Sequence, residues 1–223
     1  LDDNLLVNHD RVYELLDELL WPKQPLGAPI IGTVESVNSV GRKTLSDFKE
    51  KYYTASNIVV SACGNLDYDK LERGVERIFS GFKQDEPNTF LAVEEKQNKP
   101  GFRLFHKDTE QTHMALGFRS FKREHPLKHA LGMLHIILGA NMSSRLFNEL
   151  REKRGLAYEI GTALKRFQDT GAFIVHAGID NKKVSEAIFL ILKELKITKN
   201  NLVTAGEFKR AKEFYIGQLR LAL

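Results

Sequence analysis

The sequence predicts an α+β fold in which mainly antiparallel sheets are covered by helices, and three observations carry this prediction. Segments with the apolar spacing of strands occur among segments with the apolar spacing of helices. Some neighbouring strand segments are joined by a short turn and others by a helix, unlike the regular alternation of a parallel α/β fold. With 42% hydrophobic and 28% charged residues, a chain of 223 residues can bury a core.

The N-terminal part of the chain predicts three helices and one buried strand. Apolar residues recur at helical spacing over residues 12–20 and 45–53, and the Trp21-Pro22 pair ends the first of these patterns. The β-branched run at residues 58–60 predicts a buried strand. Asp67 is expected to cap the third helix.

A polar stretch over residues 83–101 has no hydrophobic period and predicts a surface linker. Beyond it, the chain predicts four strands and four helices. The predicted strands are residues 102–106, 112–118, 158–167 and 172–179. The predicted helices begin at Pro126, after the break at residues 139–141, near Val184, and after Thr204, which forms a capping box with Glu207.

Composition and charge argue against several classes of function. No apolar stretch approaches the ~20 residues that a membrane-spanning helix needs. The net charge of +4 arises from 33 basic and 29 acidic residues spread along the chain, which gives no reason to expect nucleic-acid binding. The single cysteine, Cys63, excludes an intramolecular disulfide and a cysteine-rich zinc module, and its apolar surroundings predict an inert buried thiol.

The seven histidines offer no convincing metal site. His125 and His129 are spaced to share a helix face, but Pro126 places the start of the helix between them, and structural zinc normally needs four ligands. Neither H-E-x-x-H nor H-x-x-E-H occurs, and the chain has no G-x-S-x-G elbow and no phosphate-binding P-loop. The sequence therefore predicts no catalytic residue and no metal ligand within these 223 residues.

The segment GANMSSRLFNELREKRGLAYEIG, residues 139–161, is the most informative part of the chain. It predicts a short helix that ends in basic residues. Gly155 ends this helix, and a strand with Tyr158 near its start follows. Arg151 and Tyr158 could converge there and donate hydrogen bonds to a peptide carbonyl or a carboxylate. From these residues alone, ordinary helix-end charge beside an aromatic strand residue remains the favoured alternative.

The same segment resembles the pitrilysin/insulinase family of zinc peptidases (inverzincins), in its mitochondrial-processing-peptidase-like branch. The stretches PLGAPIIGT, KTLSDFKEKYYTASNIVVSACGN, DTEQTHMALGFRS and GEFKRAKEFYIGQLRLAL support the resemblance, and they follow the family's order over nearly the whole chain. The resemblance implies two related α+β domains. Residues 1–95 would be the trailing half of the zinc domain, and residues 100–223 a non-catalytic substrate-binding domain.

In that family, an arginine and a tyrosine of the non-catalytic domain hold the substrate backbone, and these positions match Arg151 and Tyr158. Family members bind zinc through H-x-x-E-H and a downstream glutamate, whereas this sequence begins just after the position of that third ligand. The resemblance therefore implies that this chain binds peptide but has no catalytic zinc and no peptidase activity alone. Two explanations stay open: part of an active zinc metalloendopeptidase, or a member that never had the metal site.

The resemblance also bears on partners and on location. The expected partner is a peptide substrate, and some relatives are inactive subunits of a heteromeric processing peptidase or membrane complex. A homodimer and a heterodimer with a related subunit are both compatible with it. It favours the bacterial cytoplasm, with the mitochondrial matrix and the periplasm left open.

Overall fold

The computed structural model describes residues 8–83, 86 and 89–222, which form helices and one antiparallel sheet. The α-helices are α1 (Asn8–Leu20), α2 (Val34–Asn38), α3 (Arg42–Tyr52), α4 (Tyr68–Phe79), α5 (Lys128–Leu138), α6 (Val184–Asn200) and α7 (Ala205–Leu221). The strands are β1 (Gln111–Ser120), β2 (Ala157–Arg166) and β3 (Gly171–Asp180). A π-helix spans Phe147–Glu152, and single 3₁₀ turns span Pro25–Gly27 and Ala55–Asn57.

The described chain divides into two compact units. The first comprises residues 29–91, and the second combines residues up to 28 with those from 92 onward. The change of unit at residue 91 falls within the predicted linker. Helix α1 belongs to the second unit, where Leu16 and Leu20 pack on the sheet. The assignment of residues 1–95 to the trailing half of a zinc-peptidase-like domain concerns the domains of the family and stays a prediction.

The sheet of the second unit confirms the predicted α+β class. Its strand order is β1-β3-β2, and β3 pairs antiparallel with both neighbours. The β2–β3 hairpin forms where the sequence predicted two strands, at residues 158–167 and 172–179. The helices predicted around it are also present, and Thr204 and Glu207 form the predicted capping box of α7.

Both faces of this sheet are covered by other elements. Strand β3 carries apolar side chains on both faces, and each face is stabilised when these side chains are buried. On one face, Val175 and Ile179 pack with Leu150 and Ile191, which come from the π-helix and α6. On the other face, Ile174 packs with a cluster contributed by α1 and the residues after it, namely Leu16, Leu20 and Trp21. The π-helix is therefore anchored directly in the main core.

The first unit contains α2, α3 and α4, and Asp67 caps α4 as the sequence predicted. Asp67 accepts a hydrogen bond from the Lys70 N–H at 3.1 Å, and Thr33 and Ser36 form a capping box. The described residues of α2, α3 and α4 include no buried side chain. The apolar residues of these helices are therefore at most half-buried, as Leu71, Val75 and Phe79 of α4 are.

Two predicted strands are wrong. Residues 58–60 and 102–106 pair with no strand among the described residues, and Val59 and Phe102 are 93% and 83% exposed. An apolar run indicates that a segment should be covered, but a strand also needs a hydrogen-bonding neighbour, which a single-segment pattern does not reveal. Cys63 is likewise exposed and not buried, since the strand expected to bury it does not form.

No helix among the described residues has the length and the hydropathy that crossing a membrane would require.

Candidate functional site

Arg151 lies in the last turn of the π-helix, with its side chain exposed to solvent. Its guanidinium carbon lies 5.0 Å from the centre of the Phe147 ring, which is a cation–π contact. Phe147 is half-buried and packs against the main core. The sequence predicted a helix here but not its type. π-Helices are rare and occur frequently at functional sites.

The turn that follows the π-helix fixes the backbone of Arg151. Gly155 has a φ of 56°, in the left-handed region that glycine adopts without strain. The Gly155 N–H donates to the Arg151 carbonyl at 3.0 Å, and the Leu156 N–H donates to the Leu150 carbonyl at 2.8 Å. Leu150 and Leu156 are both buried, so each end of the turn is anchored in the core.

Tyr158 is the extra residue of a β-bulge. Ala157 pairs with Ile179 and Glu159 pairs with Gly178, which are consecutive residues of β3, so Tyr158 has no partner across the ladder. Tyr158 is 64% exposed. A bulge interrupts the alternation of a strand and changes the direction of the side chain at that position. The sequence placed Tyr158 at the start of the strand but did not reveal the bulge.

Of the three cations at this helix end, two share one carboxylate partner. Lys153 and Arg154 both donate to the carboxylate of Glu149, and their hydrogen bonds, that of Lys153 first, lower the pKa of Glu149. Arg151 forms no ion pair with any residue in the described part of the chain. Arg151 is therefore the cation that a ligand could reach without first displacing a carboxylate.

Arg151 and Tyr158 thus lie on the accessible surface where the π-helix passes into β2. No hydrogen bond joins their side chains, both of which are described. Their convergence on one ligand stays a prediction.

Arg145 precedes the π-helix and ties it to the two C-terminal helices. Its guanidinium donates to both carboxylate oxygens of Glu207, at 2.7 and 2.9 Å, and more weakly to Glu194 at 3.4 Å. The Glu207 hydrogen bond raises the pKa of Arg145, and the same bond holds the pKa of Glu207 at about 2. Sequence reasoning recognised Glu207 only as a capping residue, because nothing local signals a partner 62 residues away.

The histidines singled out by the sequence have separate partners. The His129 Nδ1 lies 3.1 Å from the Tyr215 hydroxyl, and the His125 ring stacks on Phe121 at 4.0 Å. The described residues contain no group of three His, Cys, Asp or Glu side chains placed to hold a metal ion. A catalytic zinc ion therefore does not fit the residues that the structure describes.

A separate groove of about 1340 Å³ lies in the second unit, between β1, α1, α6 and residues 95–109. Its walls include Leu15, Leu19, Ile188 and Leu192, and neither Arg151 nor Tyr158 lines it. The arginine–tyrosine surface is therefore distinct from this groove.

Helices packed on a three-stranded antiparallel sheet define the second unit as an α+β domain. The sequence profile described as "Peptidase M16 inactive domain" matches residues 39–215. The chain therefore belongs to the M16 peptidase family, which confirms the resemblance inferred from the sequence.

Curated relatives and solved structures agree with this assignment. The chain is 37% identical over 207 residues to an "uncharacterized zinc protease" of Rickettsia felis, and covers 48% of that protein with 91% of its own length. It is 35% identical to a similarly named protein of Streptomyces coelicolor, and covers 46% of that protein with 95% of its own length.

Among solved structures, the M16 inactive domain of Pseudomonas fluorescens matches with a TM-score of 0.80 at 22% identity, and 94% of this chain covers 51% of it. A chain of complex III2 from Candida albicans matches with a TM-score of 0.77 at 21% identity, and 94% of this chain covers 52% of it. At these identities the likeness shows the fold. The chain spans about half the length of the curated relatives it matches.

Proposed function

We propose that this chain is the peptide-binding part of an M16 zinc metalloendopeptidase, and that Arg151 and Tyr158 bind the backbone of an extended peptide. The observation that carries this proposal is the pairing of an exposed arginine without a carboxylate partner and a tyrosine displaced by a bulge, at the two ends of one anchored turn.

The chemistry of the two side chains suits a peptide backbone. A guanidinium offers several N–H donors in a plane, and a phenol both donates and accepts one hydrogen bond. A hydrogen bond from a charged donor contributes about 1.5–3 kcal/mol, and one from a neutral hydroxyl about 1 kcal/mol. Neither group reads side-chain identity, so this surface would supply affinity for extended peptide and little sequence selection.

The first unit supports a related proposal, namely that residues 1–95 belong to the trailing half of a zinc-peptidase-like domain. Its exposed apolar residues include Ile30, Val59 and Leu45, which are 103%, 93% and 62% exposed. Exposure of this extent is typical of a surface that another polypeptide covers. The M16 relatives contain about as much additional chain as this one provides.

In this proposal, the residues that bind the catalytic zinc ion lie outside this chain. The curated relatives are named zinc proteases, whereas the described residues here hold no suitable ligand group. We therefore expect the 223-residue chain to cleave no peptide when zinc is added. Cleavage that a chelator abolishes would contradict the proposal.

Peptide binding by the chain itself is the direct test. A fluorescein-labelled, terminally blocked, unstructured peptide is titrated with the chain, and its anisotropy is followed. Arg151→Ala should weaken binding about 10- to 100-fold, and Tyr158→Phe about fivefold. Lys153→Ala is the matched control, because Lys153 is a neighbouring cation already bonded to Glu149, and its affinity should equal that of the wild type. Equal affinity for all four proteins would refute the assigned roles.

A second candidate is a non-catalytic partner subunit of a processing peptidase or membrane complex. The exposed apolar surface of the first unit favours it as well, since a related subunit could cover that surface. The zinc content and peptide turnover of a product that contains this chain together with the rest of the M16 length would separate the two. No bound zinc and no turnover would favour the subunit.

A further inference from the structure

Phe147 and Arg151 form an unusual pair on the π-helix. They lie four residues apart, and the guanidinium carbon of Arg151 is 5.0 Å from the centre of the Phe147 ring. A π-helix closes its hydrogen bonds between residues five apart, so side chains four or five apart lie nearly above one another. The π geometry therefore places the arginine over the aromatic ring.

The two partners differ in burial. Phe147 is half-buried and packs against the main core, whereas Arg151 is exposed. An exposed arginine has many rotamers, and ordering it on binding opposes affinity. A ring fixed in the core and facing the guanidinium reduces the number of rotamers before a ligand arrives.

The neighbouring cations do not compete for this ring. Lys153 and Arg154 are drawn to Glu149, whose carboxylate accepts from both. The Phe147 ring thus selects Arg151, and the Glu149 carboxylate holds the other two cations away from it. Of the three closely spaced cations, Arg151 therefore contacts the ring, and Lys153 and Arg154 contact the carboxylate.

We propose that Phe147 is a positioning residue that preorganises Arg151 for peptide binding through the face of its ring. This inference rests on the proposed function, since it concerns the same peptide-binding surface. Phe147 touches no peptide in this account. It acts by holding the guanidinium in the orientation that a peptide carbonyl requires.

Stepwise fluorination of the Phe147 ring tests the proposal with little change of shape. Phe147 is replaced, in the full 223-residue chain, by mono-, di- and trifluorophenylalanine, which progressively withdraw electron density from the ring face. Peptide affinity should fall with each fluorine, by about two- to fivefold over the series. A purely structural ring would tolerate the series with unchanged affinity, and that result would overturn the proposal.

Two controls make the result specific. The same series at Phe189, an exposed residue of α6, should leave affinity unchanged. In an Arg151→Ala background the Phe147 series should also have no effect, because the cation it acts through is absent. A fluorine effect that persists in that background would show that Phe147 acts by another route.

Failure of the proposed function gives a different pattern. If the wild-type chain does not bind the peptide, the proposed peptide-binding role of Arg151 is refuted. The ring contact is then judged by the NMR resonance of the Arg151 side-chain N–H, which lies in the shielding region of the ring. Phe147→Leu should move this resonance toward that of a free arginine. An unmoved resonance would refute the placement of the guanidinium by the ring.

Discussion

The two units of this chain bury their apolar residues to very different extents. In the second unit, Leu146, Leu150 and Ile191 are fully buried around a three-stranded sheet. In the first unit, Val59 and Ile30 stand almost fully in solvent, and helices α2, α3 and α4 bury none of their described side chains. The second unit thus has its own hydrophobic core. The first unit has amphipathic helices but leaves many of its apolar side chains exposed to solvent. The proposed peptide-binding residues lie on the unit that can hold them rigidly.

The largest expected effect comes from removing a buried side chain of the second unit. Leu150→Ala should lower the free energy of unfolding by about 2–5 kcal/mol, because the side chain is fully buried below the π-helix. The matched change in the first unit, Val59→Ala, should alter it by less than about 0.5 kcal/mol. Urea unfolding followed by circular dichroism measures both. Similar costs for the two variants would remove the contrast between the units.

The Arg145 network gives a smaller effect, again in the second unit. Arg145→Ala removes the guanidinium that pairs with the carboxylates of Glu207 and Glu194 and should cost about 1–3 kcal/mol. Its counterpart in the first unit is Lys43→Ala, which breaks the exposed pair with Asp47 and should cost at most about 0.5 kcal/mol. Thermal unfolding of the two variants at neutral pH makes the comparison. A loss for Lys43→Ala as large as that for Arg145→Ala would contradict it.

The same network predicts a pH dependence. The folded-state pKa of Glu207 is about 2, below its ordinary 4.5, so the stability contributed by this carboxylate is complete above pH 4.5 and is lost as the pH falls from there toward 2. Glu207→Gln should therefore lose less stability than the wild type between these pH values. Melting temperatures over this range test the difference, and parallel pH profiles would argue against the Arg145–Glu207 bond.

Two glycines in opposite contexts give a further comparison between the units. Gly155→Ala places a Cβ on a residue with positive φ and should destabilise the second unit by about 1 kcal/mol. Gly74→Ala lies within α4, where nothing is within 4 Å of the added Cβ, and should favour the helix by about 0.5–1 kcal/mol. Circular dichroism in urea reports both changes. Opposite signs are expected, and a shared sign would contradict the assigned conformations.

The sequence predicted the features that depend on local patterns. Helical spacing located α1, α3, α6 and α7, and strand-like apolar segments located the β2–β3 hairpin. The capping roles of Asp67 and Thr204 were also readable, because a cap involves residues only a few positions apart. The positions of Arg151 and Tyr158 on a helix end and a strand start followed from the same local signals.

Features that depend on distant partners could not be predicted. The bulge at Tyr158 is defined by its register against β3, and the Arg145–Glu207 bond joins residues far apart in the sequence. Residues 58–60 have a strand-like composition, yet composition does not supply a neighbouring strand. The sequence also could not predict that residues 147–152 form a π-helix, because six residues are too few to separate its period from that of an α-helix.

Peptide binding at Arg151 and Tyr158 is tested by a peptide titration of the isotope-labelled chain, followed by NMR. Resonances of residues 147–160 in the second unit should shift on addition of unstructured peptide, with the side chains of Arg151 and Tyr158 among the most affected. Resonances of α3 and α4 in the first unit should remain in place. Shifts confined to the first unit, or to the groove beside β1, would contradict the assignment of peptide binding to Arg151 and Tyr158.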